Sequence, residues 1–67
     1  MKWLSKHVDK DNRTFLIEYD QNVGYYLYVS DKDGDEIFDD LQDTLDWAKR
    51  SALDEFNVPL DSWQKVS

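Results

Sequence analysis

The sequence predicts a small two-layer α+β domain, a three- to four-stranded antiparallel meander followed by one amphipathic helix packed on one face of the sheet. Three observations carry this expectation. Two runs rich in β-branched and aromatic residues, Thr14 to Asp20 and Tyr25 to Ser30, are separated by a short polar break. After Thr44 the apolar residues recur at three or four positions instead of two. Three Trp, four Tyr and three Phe in 67 residues supply large buried areas without any cysteine to staple the chain.

Each element follows from local chemistry. Lys2 to Val8 is a candidate first strand, separated from Thr14 by the turn-rich Asp9-Lys10-Asp11-Asn12. In Thr14 to Asp20, Phe15, Ile17 and Tyr19 fall on one face and Leu16 and Glu18 on the other, as the period of two requires. Gln21-Asn22-Val23-Gly24 offers Asn and Gly for positive φ, and Tyr25 to Ser30 then returns as a strand apolar on both faces, which suggests a central position. Asp31-Lys32-Asp33-Gly34 is the clearest turn, because Gly after Asp supplies the left-handed conformation of a tight hairpin or of a type I turn with a bulge. A short strand is expected from about Asp35 to Asp39.

Leu41, Leu45, Ala48, Ala52 and Phe56 then form the apolar stripe of a helix from about Thr44 to Phe56, with Asp43 as the expected N-cap and Asp46 in the capping-box position. Asn57 suits a left-handed C′ residue, Val58 packs back on the helix, and Pro59 prevents continuation. Leu60 to Trp63 reads as a short turn, and Gln64 to Val66 as a last edge strand.

Charge is distributed very unevenly. Asp31 to Asp46 holds eight acids against Lys32 alone, while the residues on either side balance, so the formal net charge of −7 belongs to one segment. Such a field attracts cations and basic surfaces and repels nucleic acid. No run approaches the roughly eighteen apolar residues of a membrane span, and the N-terminus lacks the apolar core of a signal peptide. The chain therefore reads as one complete domain, residues 1–67, in the cytoplasm, where lack of disulfides is the norm.

Catalytic signatures are not found. Nucleophilic catalysis needs a base oriented by a third group, and His7 is the only histidine. No serine has a nucleophile-elbow context. Asp31, Asp33 and Asp35 alternate like the opening of a calcium loop, but the sixth position is Glu36 where glycine is needed, and the twelfth is Gln42 where a bidentate glutamate is needed. The tyrosines evoke single-strand nucleic-acid platforms, yet those surround their aromatics with Lys and Arg.

At Asp39 to Leu45, and again at Phe56 to Trp63, the chain resembles small stand-alone bacterial α+β proteins in which a tyrosine-rich hairpin precedes a helix start of the form Leu41-Gln42-Asp43-Thr44 and a terminal Trp. The resemblance covers about residues 14 to 66 and implies the same compact fold. It implies no activity, ligand or catalytic residue. Asn57 departs from the pattern, since Gly is commoner after a helix, and both suit the left-handed conformation.

The resulting expectation is a non-catalytic protein-interaction module without cofactor or metal. It meets a basic protein surface through Asp35, Glu36, Asp39, Asp40 and Asp43, with Tyr26 and Tyr28 as exposed aromatic anchors. The chain itself is expected as a monomer or weak homodimer, bound to neither nucleic acid nor membrane. Two alternatives remain: a divalent-cation or small-ligand binder at Asp31 to Asp40, and a homo-oligomerising structural protein. The residues leave open which sheet face is free, and whether the acids around the helix start serve capping or docking.

Overall fold

Five antiparallel strands and one helix make up the computed structural model, which describes residues 1–67. In chain order they are β1 (Lys2–Ser5), β2 (Thr14–Asp20), β3 (Gly24–Ser30), β4 (Glu36–Gln42), α1 (Leu45–Phe56) and, after a 3₁₀ turn at Leu60–Ser62, β5 (Trp63–Lys65). The sheet order is β4-β3-β2-β1-β5. The meander β1 to β4 is therefore extended by β5, which returns after the helix to pair with β1 at Trp3↔Lys65, Leu4↔Gln64 and Ser5↔Trp63.

Period-two alternation sends Phe15 and Ile17 of β2, and Leu27 and Val29 of β3, to the face that meets α1. With Ala48 and Ala52 of the helix and Val58 beyond it, they form a core of fully buried side chains. Alanines at the helix contact let its backbone approach the sheet closely. Phe56 then fills the end of the core, 5.7 Å from Phe15 and 5.1 Å from Phe38 between ring centroids. Trp3, Tyr19 and Tyr25 line the other end, with Tyr25 5.9 Å from Trp3 and 4.7 Å from Tyr19. Tyr19 is only half buried there, so the core stripe of β2 ends at Ile17.

Several expected boundaries shift. The first strand ends at Ser5 instead of Val8, because the Ser5 hydroxyl accepts the His7 N–H at 3.0 Å and meets the Ser62 hydroxyl at 2.8 Å, turning the chain away. The fourth strand runs from Glu36 to Gln42, beyond the Asp39 limit read from the sequence. Leu41 therefore belongs to β4, not to the helical stripe. With β1 and β5 both formed, the centre of the sheet is β2, and β3 lies second from an edge.

The helix N-cap is Thr44, not Asp43. Its Oγ1 accepts the Trp47 N–H at 3.1 Å, and its extended backbone ends β4's connection one residue later than the carboxylate had suggested. At the far end Asn57 does adopt φ 59 and ψ 31, donating to the Leu53 carbonyl at 2.9 Å, while Val58 donates to Ala52 at 3.2 Å and enters the core. Positive φ at the first hairpin is carried by Gly24, at 136, and not by Asn22. A Cβ on Gly24 would sit 2.7 Å from the Gln42 carbonyl oxygen, so this position lets β3 and β4 close together.

Candidate functional site

The helix covers one face of the sheet, and the register specifies what the other presents. Two rows cross it. One runs Gln64, Leu4, Leu16, Tyr28, Asp39 from β5 to β4, and the next runs Lys2, Glu18, Tyr26, Leu41 from β1 to β4. Leu4 and Leu41 remain 38% and 44% exposed. Tyr26 and Tyr28 stand two residues apart on β3 with their rings stacked, centroids 5.6 Å apart and planes inclined by 17°. The open face is thus an apolar and aromatic stripe edged by carboxylates, with Lys2 as its base at the β1 side.

The electrostatics of the face are visible at Tyr28. Burial, then the neighbouring Glu18, Tyr26, Glu36 and Asp39, pushes its phenol above the ordinary value of 10.0. No basic side chain forms an ion pair with any of these carboxylates, the ion pairs of the molecule being Arg13 with Asp9 and Asp11. The acids at the face are therefore available to an external cation.

The other acids do not assemble with them. Asp40 faces the helix, where its Oδ2 accepts from the Ser51 hydroxyl and the Gln42 amide, each at 2.7 Å, tying β4 to α1. Asp35 serves the β3–β4 turn through its backbone: its N–H donates to Asp31 Oδ1 at 3.0 Å and its carbonyl accepts from the Asp31 N–H at 2.8 Å. Asp43 is exposed in the connection before the helix. Of the expected site residues, the structure brings together Tyr26, Tyr28, Glu36 and Asp39, and separates Asp35, Asp40 and Asp43 from them.

At the proposed cation segment, Asp31 is occupied as a turn residue, its Oδ1 also accepting the Asp33 N–H at 2.9 Å. Gly34, at φ 88, donates to the Asp31 carbonyl at 3.0 Å, which is the type I turn with a following left-handed glycine. The fold gathers no group of three or more His, Cys, Asp or Glu side chains able to hold a metal ion. A cleft of about 440 Å³ beside this turn is lined by acids and bases alike, among them Lys10, Arg13, Asp31 and Lys32, so it has no net preference for a charged ligand.

Sequence reasoning missed Leu4, Leu16, Glu18 and Leu41 as members of the face. Leu16 and Glu18 were legible by their alternation with Phe15 and Ile17. Leu41 was concealed because its spacing to Leu45 and Ala48 also fits a helix. No helix is long and apolar enough to cross a membrane. No protein-family model, no curated protein and no solved structure matches the chain.

Proposed function

We propose that this protein is a non-catalytic interaction module of the cytoplasm that docks a basic protein through the open face of its sheet. The observation that supports the reading is the stacked Tyr26–Tyr28 pair, flanked by the unpaired carboxylates of Glu18, Glu36 and Asp39 and by exposed Leu4 and Leu41. Tyrosines offer large contact area at low conformational cost, and three carboxylates against the single cation of Lys2 favour a partner of positive charge. A contiguous apolar sheet face without a second layer is itself the usual mark of a contact surface. Self-association through this face would bring the same carboxylates against one another, which disfavours the oligomer alternative. The non-catalytic reading is supported by the openness of the face that carries Glu18, Glu36 and Asp39, and by His7, whose ring lies 6.2 Å from the Phe15 ring while its backbone N–H, not its imidazole, meets the Ser5 hydroxyl.

The test is capture of basic proteins at low salt by three chains: wild type, Tyr26→Ala with Asp39→Asn, and Asp43→Asn. A partner retained by wild type and Asp43→Asn but lost from the double variant supports the face. Equal retention by all three would sink it.

A further inference from the structure

Every sheet of this kind has two edges, and here they differ. β5 at one edge is three residues long and carries Lys65. β4 at the other edge is seven residues long, contains no proline, and is hydrogen-bonded on one side only, to β3. None of the remaining backbone hydrogen bonds of the molecule involves Glu36 to Gln42. A strand of this length with a free row of N–H and C=O groups is a template for another strand.

Charge decides which strand it accepts. A second copy pairing antiparallel about the middle of β4 would set Asp39 opposite Asp39, or Asp39 opposite Asp40, and like charges directly opposite destabilise a strand pair. A basic strand meets the reverse situation. Asp39 has no intramolecular ion-pair partner, and it ends the row Leu16, Tyr28, Asp39, so a cation placed opposite it has the carboxylate beside it and the Tyr28 ring beyond. The neighbouring row ends at Leu41, 44% exposed, which calls for an apolar residue two positions away in the added strand. On the helix side a cleft of about 420 Å³ lies between β4 and α1, lined by Asp40, Gln42, Trp47 and Arg50, with Trp47 58% exposed.

We propose that the free edge of β4 takes an extended basic segment of a partner protein as a sixth strand, with lysine or arginine opposite Asp39 and an apolar side chain opposite Leu41. This rests on the reading that the partner is basic, and it deepens that reading from a face to a backbone-paired register.

The experiment uses the whole chain and a synthetic ten-residue peptide of threonine and valine with one arginine and one leucine two positions apart. Binding is followed by backbone amide NMR and hydrogen exchange. Alternate amides within Glu36 to Gln42 should slow on binding, and Asp39→Asn should weaken the complex about tenfold, as expected for loss of a close charge pair. Asp39→Lys should instead prefer the same peptide with glutamate in place of arginine. A version N-methylated at alternate amides should not bind, since it cannot extend the ladder. Equal binding of the N-methylated peptide, or absence of β4 protection, would overturn the proposal. Resonance changes confined to Tyr26 and Tyr28 would overturn strand addition while supporting docking on the open face. The separate capture experiment judges that face independently.

Discussion

Thr44 and Asp43 illustrate how a single oxygen decides where a helix begins. Both are good N-cap residues, but Thr44 has the extended backbone and the 3.1 Å bond to the Trp47 N–H, whereas the Asp43 carboxylate has no such partner. Thr44→Ala is therefore expected to cost about 1 kcal/mol in urea unfolding, as removal of a cap usually does. Asp43→Ala, at an exposed position, should stay within about 0.5 kcal/mol of wild type. The reverse ranking would return the cap to Asp43. At this scale the sequence pointed to Asp43, one residue before the true cap. The choice between the two depended on where β4 releases the chain, which is a tertiary matter.

Asp9 is the other residue whose role reaches beyond its own turn. Its Oδ1 accepts the Arg13 N–H at 3.0 Å and its Oδ2 the Arg13 Nε at 2.6 Å, and these bonds hold its carboxyl below the ordinary 3.8, the backbone bond contributing most. A carboxyl with a lowered folded-state pKa adds stability that is complete above the unfolded value and disappears as pH falls through the folded one. The stability advantage of wild type over Asp9→Asn should consequently shrink as pH is lowered below about 4. A difference that stays constant from pH 6 to pH 3 would remove the ionised Asp9 from the account.

Among the elements, β3 and β4 carry most of the functional argument, and their junction depends on Gly24. Its φ of 136 is open to glycine, and a Cβ would meet the Gln42 carbonyl oxygen at 2.7 Å. Gly24→Ala is expected to destabilise by about 1–3 kcal/mol, measured by denaturant titration, with the loss of protection concentrated in the β3–β4 ladder. An unchanged midpoint would mean that the hairpin relaxes freely around the methyl group. The β4 strand also explains why the acidic segment divided as it did. Extending it through Gln42 places Asp39 and Asp40 on a strand, where successive side chains point to opposite faces, and so parts two neighbours that a helical first turn would have kept together. Asp40 became a tie to Ser51, and Asp39 became part of the open face.

For the whole molecule, the helix crosses one face of the sheet and leaves the other without a layer. The β1–β2 connection is joined to the end of α1 by Arg13, whose guanidinium carbon lies 4.9 Å from the centre of the Phe56 ring while its Nε bonds Asp9. Cation–π contact and ion pair together hold a connection that would otherwise be an exposed loop. The start of the same connection is tied to the 3₁₀ turn before β5, the Lys6 N–H donating to the Ser62 carbonyl at 2.8 Å. Arg13→Met would break the first of these ties while leaving the Asp9 bond to the backbone N–H of residue 13.

Local chemistry was sufficient for much of this architecture. Alternation in Thr14 to Asp20, the two glycine-bearing turns, the 3.6-residue period after Thr44 and the Asn57–Pro59 stop each express preferences within a few residues, and such preferences act before any long-range contact forms. The class of fold, the helix and the candidacy of Tyr26 and Tyr28 followed from them. Three features required the assembled sheet. β5, an edge strand already expected from the sequence, finds its partner in β1, Leu41 is a strand residue because β3 continues far enough to pair with it, and the unpaired acids near Tyr28 come from two different strands, Glu18 from β2 and Glu36 and Asp39 from β4. Local sequence constrains the conformation of each segment, but which segments lie side by side is decided by burial of the shared core, and the free face is what that burial leaves uncovered.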